Sequence, residues 1–151
     1  MRYLGRFLAI LPFTGFLFGA DPFVGVWKLD NAKSLFRQGS SPKDQALIIT
    51  ARGGALDVTV KGTSADGGRL FCHYVAPAAG GPGKIIESSY DGISTQRIGP
   101  FRRAVSYMKN GKVVFSARSQ VALDEATITV ILNGTDMQGR SIDAIAVYFK
   151  Q

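Results

Sequence analysis

Cys72 and His73 are the only cysteine and the only histidine of the chain, and they are neighbours. A thiol beside a base is the most reactive pairing on offer, but local geometry works against it. Both fall in residues 69–76, which read as a β-strand, and adjacent strand residues point to opposite faces. The pair therefore cannot share a metal ion or act as nucleophile and base. Zinc needs three or four ligands, and no His/Cys cluster supplies them, so neither metal nor cofactor is expected. Cys72 reads as a small buried apolar residue on one face with Leu70 and Tyr74, with a reactive thiol as the alternative. His73 reads as a plain surface or lumen residue.

No other constellation suggests catalysis. A Gly-x-Ser-x-Gly elbow, a P-loop and a dinucleotide fingerprint are all missing from the sequence. The carboxylates of Asp66, Asp91, Asp124, Glu125 and Asp136 collect at turns, where solvated turn residues belong. Glu87 sits mid-strand beside Ile85 and Ser89, and a cross-strand arginine is its expected partner. Arg102 and Arg103, with Phe101, Tyr107 and Lys109, form the densest basic and aromatic patch. A nucleic-acid site needs more charge than this, so no nucleic-acid partner is expected and the patch reads as a strand edge guarded by charge. The formal charge of +7 is scattered along the chain, a pattern that favours solubility.

The N-terminus carries its own signal. Arg2 and Arg6 precede an apolar run over 7–18, and Gly19-Ala20 follows, which are the three parts of a secretory leader. Phe18 is bulky for its place three residues before a cut after Ala20, and an uncleaved anchor is the competing reading. The run is shorter than the ~20 residues that span a bilayer, and Pro12 and Gly15 weaken it as a helix. The expectation is export to a periplasm or the exterior, with residues 1–20 removed and 21–151 left as one domain. No transmembrane anchor is then expected after cleavage. A single cysteine allows no internal disulfide, so the core alone must hold the fold.

Beyond the leader the chain alternates with period two. Phe23, Gly25, Trp27 and Leu29 share one face of a first strand. Leu56, Val58 and Val60 do so later, as do Ile128, Val130 and Leu132, and the last strand has Ile145, Val147 and Phe149 on one face and Ala144, Ala146 and Tyr148 on the other. Gly53-Gly54 and Asn110-Gly111 are hairpin signals, the second a type I′ pair. Residues 31–34 suit a single helical turn capped by Asp30 or Asn31. Residues 38–42 read as a loop. The Ala, Gly and Pro-rich stretch 76–83 has no period and reads as a long mobile loop. The fold class is all-β: an antiparallel up-and-down barrel of about eight to ten strands, preferred to a sandwich because closure removes exposed edges.

In such a barrel Gly25 and Trp27 form a structural plug at the closed end. Tyr74, Arg97, Tyr107, Arg118 and Tyr148 are the candidates for lumen-facing contacts to a ligand. Residues 58–69 and 128–140 echo each other: a strand, a Gly-Thr exit (Gly62-Thr63, Gly134-Thr135), an aspartate (Asp66, Asp136), a glycine and an arginine. Two hairpins using one turn chemistry explain the echo, and paired loops holding a ligand or cation are the functional alternative.

Gly25-Val26-Trp27 on a first strand, followed by a meander, resembles the Gly-x-Trp start of lipocalins and their calycin relatives. More broadly, residues 22–29, Ala32-Lys33-Ser34, the Gly134-Thr135-Asp136 turn and the closing residues 147–151 look like a group of small exported bacterial lipocalin-like proteins. The resemblance implies a barrel whose tryptophan closes the base and whose open end admits a small apolar ligand. It departs from lipocalins in lacking their disulfide and the arginine that packs across the tryptophan, for which only Lys150 or Arg140 could stand in. The function this implies is binding of a small apolar or amphipathic molecule. The alternative is a non-enzymatic structural or interaction protein of the envelope with a filled barrel. A lumen of about 300 Å³ or more favours the first, and an enzyme is the least favoured class.

Overall fold

The computed structural model describes residues 20–151, so the leader lies outside the described residues. The described chain forms β1 (Gly25–Leu29), β2 (Leu35–Gln38), β3 (Asp44–Arg52), β4 (Ala55–Thr63), β5 (Arg69–Pro77) and β6 (Gly80–Pro82). It continues as β7 (Lys84–Glu87), β8 (Gly92–Gly99), β9 (Arg102–Lys109), β10 (Lys112–Val121), β11 (Thr127–Thr135) and β12 (Ser141–Lys150). All pair antiparallel in one sheet, ordered β6-β8-β9-β10-β11-β12-β1-β3-β4-β5-β7, with β2 added beside β12. This is an up-and-down meander curled into a nearly closed barrel: β1 pairs with β12 (Trp27 opposite Lys150) as well as with β3, and the two ends of the sheet order, β6 and β7, do not pair with each other. Among the described residues no helix is long and apolar enough to cross a membrane.

Alternation drives the closure. Every second residue of the long strands turns inward, and Trp27, Val58, Cys72, Tyr107, Ile128 and Tyr148 meet in one buried cluster. Cys72 faces in with Leu70 and Tyr74, while His73 faces out and contacts Asp57 at 2.8 Å. Glu87 meets Arg69 across the strands at 3.1 Å. Asn110 and Gly111 both have positive φ (51° and 75°), as a type I′ hairpin turn requires. The turn after β1 is capped by Asp30, whose carboxylate accepts from the backbone N–H groups of Ala32 and Lys33.

The stretch 76–83 departs from expectation, because it is ordered strand and not a mobile loop. Gly80–Pro82 pairs with β8, and then Lys84–Glu87 crosses to pair with β5. This segment spans the one gap in the barrel wall. Its lack of side-chain pattern has a steric cause. Gly80 and Gly81 hold φ of 97° and 129°, and a Cβ on Gly83 would lie 2.7 Å from the Val75 carbonyl oxygen and 2.9 Å from Ile93. β2 is a second element that the residue pattern hides, a short exposed strand laid along β12.

Two ends can be told apart. Phe23, Trp27, the 53–54 turn and the 122–126 loop mark one end, the floor. The loops 39–43, 64–68 and 136–140 mark the other, the mouth. Trp27 is fully buried, donates its indole N–H to the Phe23 carbonyl at 2.9 Å, and carries the Lys150 ammonium 5.3 Å from its ring centre. Lys150 thus takes the place across the tryptophan that the sequence offered to it or to Arg140.

Candidate functional site

The barrel encloses a lumen of about 200 Å³ that runs from Phe23 and Arg103 at the floor to Ser64, Gln138 and Arg140 at the mouth. Its walls are mostly apolar, with Leu47, Val58, Val60, Val105, Val130 and Leu132 contributed by strands all round the sheet. Aromatic rings crowd the upper half. Tyr74 meets Tyr107 edge-on at 6.0 Å between centroids, and Tyr90 stacks parallel to Phe115 at 6.0 Å.

The five sequence candidates divide. Tyr74, Tyr107 and Tyr148 are buried and line the lumen. Arg97 is a correction: it shares the inward parity of Ile93 and Thr95, but at the floor rim it is exposed and does not line the lumen, with its guanidinium 3.8 Å from Asp21. Arg118 is a correction. Its neighbours Ala117 and Ser119 line the lumen, so Arg118 must point outward, and there it is exposed opposite Ile131. Gly25 and Trp27 sit at the floor, where the plug was expected. Gly25 has φ of 148°, and a Cβ there would press on the Lys150 side chain at 2.9 Å.

Polar groups in this lumen are few and placed. The Tyr148 hydroxyl donates to Gln45 Oε1 at 2.5 Å, and the Tyr90 hydroxyl donates to the Thr135 carbonyl at 2.8 Å. Burial pushes the phenols of Tyr74, Tyr90, Tyr107 and Tyr148 well above their ordinary value of 10, so they act as neutral hydrogen-bonding groups. Burial also raises the Cys72 thiol, which keeps it protonated and a poor nucleophile. Among the described residues no three His, Cys, Asp or Glu side chains converge on a metal position.

The residue missed by sequence reasoning is Arg103. It is buried, only 6% exposed, and lines the lumen near the floor. Its Nη2 donates to Asp21 Oδ2 at 3.0 Å and to the Ala78 carbonyl at 2.6 Å, while its Nε has no partner. An unsatisfied buried donor costs about 1–3 kcal/mol. The signal was present: Arg103 shares parity with Val105 and Tyr107, which an apolar lumen would draw inward. Grouping it with Arg102 as one surface patch overlooked that alternation.

At the mouth the two echoing loops face each other. Arg140 Nη2 reaches Asp66 Oδ2 at 2.7 Å and Gln138 Oε1 at 2.9 Å, and Gln138 Nε2 donates to Ser64 Oγ at 3.2 Å. Their backbones match in detail. Ser64 N–H bonds the Gly68 carbonyl and Gly67 N–H the Ser64 carbonyl, as Asp136 N–H bonds Arg140 and Gly139 N–H bonds Asp136. Ser64 is therefore the counterpart of Asp136, and Asp66 that of Gln138. The echo is shared turn chemistry, and the two turns clasp each other.

No protein-family model matches this chain, and no curated protein matches its sequence. The site must be interpreted from its own geometry.

Proposed function

We propose that this protein is an exported lipocalin-like barrel that holds a small apolar or amphipathic molecule in its lumen. One observation carries the reading: an apolar, tyrosine-studded cavity runs along the inside of the barrel. Its size narrows the ligand class. About 200 Å³ falls short of the ~300 Å³ that would favour ligand binding outright, and below the ~300–1,000 Å³ of drug-sized sites, so any ligand has to be small. The lumen exceeds the ~150 Å³ apolar cavity known to admit benzene. A single-ring or short-chain amphiphile fits the space, and a long acyl chain or a polycyclic pigment does not. The kinship with lipocalins is supported by Trp27 at the barrel base and by Lys150 packed over it. Export is supported by the leader's composition. Binding without catalysis is the reading that the neutral phenols and the protonated Cys72 favour.

The test is a titration with 2-phenylethanol followed by methyl NMR. Lumen residues Val58, Val105 and Val130 should shift saturably, with the outward Val26 and Val113 unmoved. Silence at the lumen methyls up to the solubility limit would mean that the barrel is a filled scaffold and that any partner meets its outer surface.

A further inference from the structure

We propose that Arg103 is the seat of a carboxylate, so that the lumen's ligand is a small apolar acid bound with its anionic end at the floor. This rests on the reading of the lumen as a ligand site and adds the chemical class of the ligand.

Arg103 is buried beyond nine-tenths, lines the cavity, and holds the one buried side-chain polar atom among the described residues with no hydrogen-bond partner, its Nε. A guanidinium cannot shed its charge to relieve this, because its pKa exceeds 12. The Nη2 side is already committed to Asp21 and Ala78. The Nε–H is the donor left for a guest.

The local charge points the same way. Asp21 Oδ2 lies 3.0 Å from Arg103 and 3.8 Å from Arg97, so one carboxylate serves two guanidinium groups. The buried guanidinium of Arg103 thus shares its one counter-charge with the exposed Arg97. A carboxylate at the Nε side would complete its neutralisation with a single added charge. The neighbours suit an anion too. Ser119 sits directly across the strand pair from Arg103 and lines the cavity, giving a hydroxyl donor on the same inward face, while the Thr95 hydroxyl nearby already donates to the Gly81 carbonyl at 3.5 Å. The apolar lumen above then takes the carbon skeleton. Charge-assisted hydrogen bonds to a carboxylate are the strong ones, and the Nε–H offers one such bond.

Phenylacetate and 2-phenylethanol, nearly equal in size, separate the two ideas by calorimetric titration. An apolar tube alone favours the neutral alcohol, since the carboxylate loses its hydration. With a seat at Arg103, phenylacetate binds tighter by about tenfold or more, the worth of a charge-assisted bond. Arg103→Met should abolish that preference, so that the alcohol binds at least as tightly as the acid, and a preference that survives in this variant overturns the seat. Asp21→Asn serves if Arg103→Met does not fold. It keeps an oxygen for the Phe23 N–H, which Asp21 Oδ1 now accepts at 3.0 Å, and removes the competing charge. Phenylacetate should then bind several-fold tighter. Equal affinities for acid and alcohol, or an Asp21→Asn variant with unchanged or weaker phenylacetate binding, overturn the seat and leave the lumen reading standing. If neither compound enters the lumen, the lumen reading itself fails and the seat fails with it.

Discussion

The two ends of this barrel are closed by opposite means. At the floor, Trp27, Phe23 and Arg103 are buried, and the contacts join residues as far apart as Asp21 and Arg103. At the mouth, Asp66 and Arg140 are about half exposed, and their bridge stands in solvent. Burial makes the floor part of the folding core, whereas a solvated ion pair contributes little to stability. An end that adds little to stability can open without unfolding the chain. The floor is thus the fixed end, and the mouth is the end whose closure can give way.

Trp27→Ala should break the floor most severely. It removes a fully buried indole, its hydrogen bond to the Phe23 carbonyl and the platform under Lys150, at a cost of about 3–5 kcal/mol. Chemical denaturation should show the midpoint falling by that amount with little change in slope. A variant as stable as the parent would mean that the floor is no part of the core, and the contrast between the ends would collapse.

The mouth is not tolerant everywhere, and Gly134 marks the limit. It ends the inward row of β11 with φ of 122°, and a Cβ there would lie 2.3 Å from the Val114 carbonyl oxygen. Gly62, its counterpart in the echoing hairpin, would set a Cβ 2.2 Å from the Asp44 carbonyl oxygen. Both let a neighbouring strand press in where the wall bends. Gly134→Ala should therefore cost about 1–3 kcal/mol, less than the loss of Trp27 but far more than any side-chain change in the loops. Thermal unfolding followed by circular dichroism measures it. A neutral result would mean that the backbone at the mouth gives way as freely as its side chains.

The same contrast separates what was legible in the chain from what was not. Strand alternation is a local property, so the inward rows Leu56-Val58-Val60 and Ile128-Val130-Leu132 could be read without coordinates, whereas the last strand is apolar on both faces and its inward row, Ala144-Ala146-Tyr148, could not. Trp27 as a plug followed from its face-sharing with Phe23 and Leu29. The seam at 80–87 could not be read, because glycine and proline satisfy a backbone requirement and leave no side-chain pattern. Arg118 and Arg103 exchanged places for a related reason. Charge invites an outward assignment for Arg103, yet parity with Val105 and Tyr107 puts it inside, balanced by Asp21 from a segment 82 residues away. No local pattern encodes a partner at that separation. The clasp between the loops was half visible: the echo showed two equal turns but not that they meet.

The clasp supplies the smallest effect and the sharpest test of what the mouth does. Asp66 is held well below the ordinary carboxylate value of 3.8, first by the Ser64 hydroxyl, then by Arg140 and then by the Gly68 N–H. A depressed carboxylate contributes in full above its unfolded value, and the contribution is lost as pH falls through the lower folded value. Between neutrality and about pH 4 the clasp should therefore hold, with hydrogen exchange at the Gly67, Gly68 and Gly139 amides flat after correction for intrinsic chemistry. Arg140→Gln removes the ion pair to Asp66 and the bond to Gln138, and leaves the backbone bonds within each loop. Exchange at those three amides should rise several-fold while amides of β1 and β12 near Trp27 stay protected, and the thermal midpoint should barely move. In that variant the acid-induced rise should begin closer to 3.8, because one of the groups that hold the carboxyl down is gone. If the midpoint falls together with the loop protection, the mouth belongs to the folding core like the floor, and entry has to be sought elsewhere in the wall, with the seam at Gly83 the next place to probe.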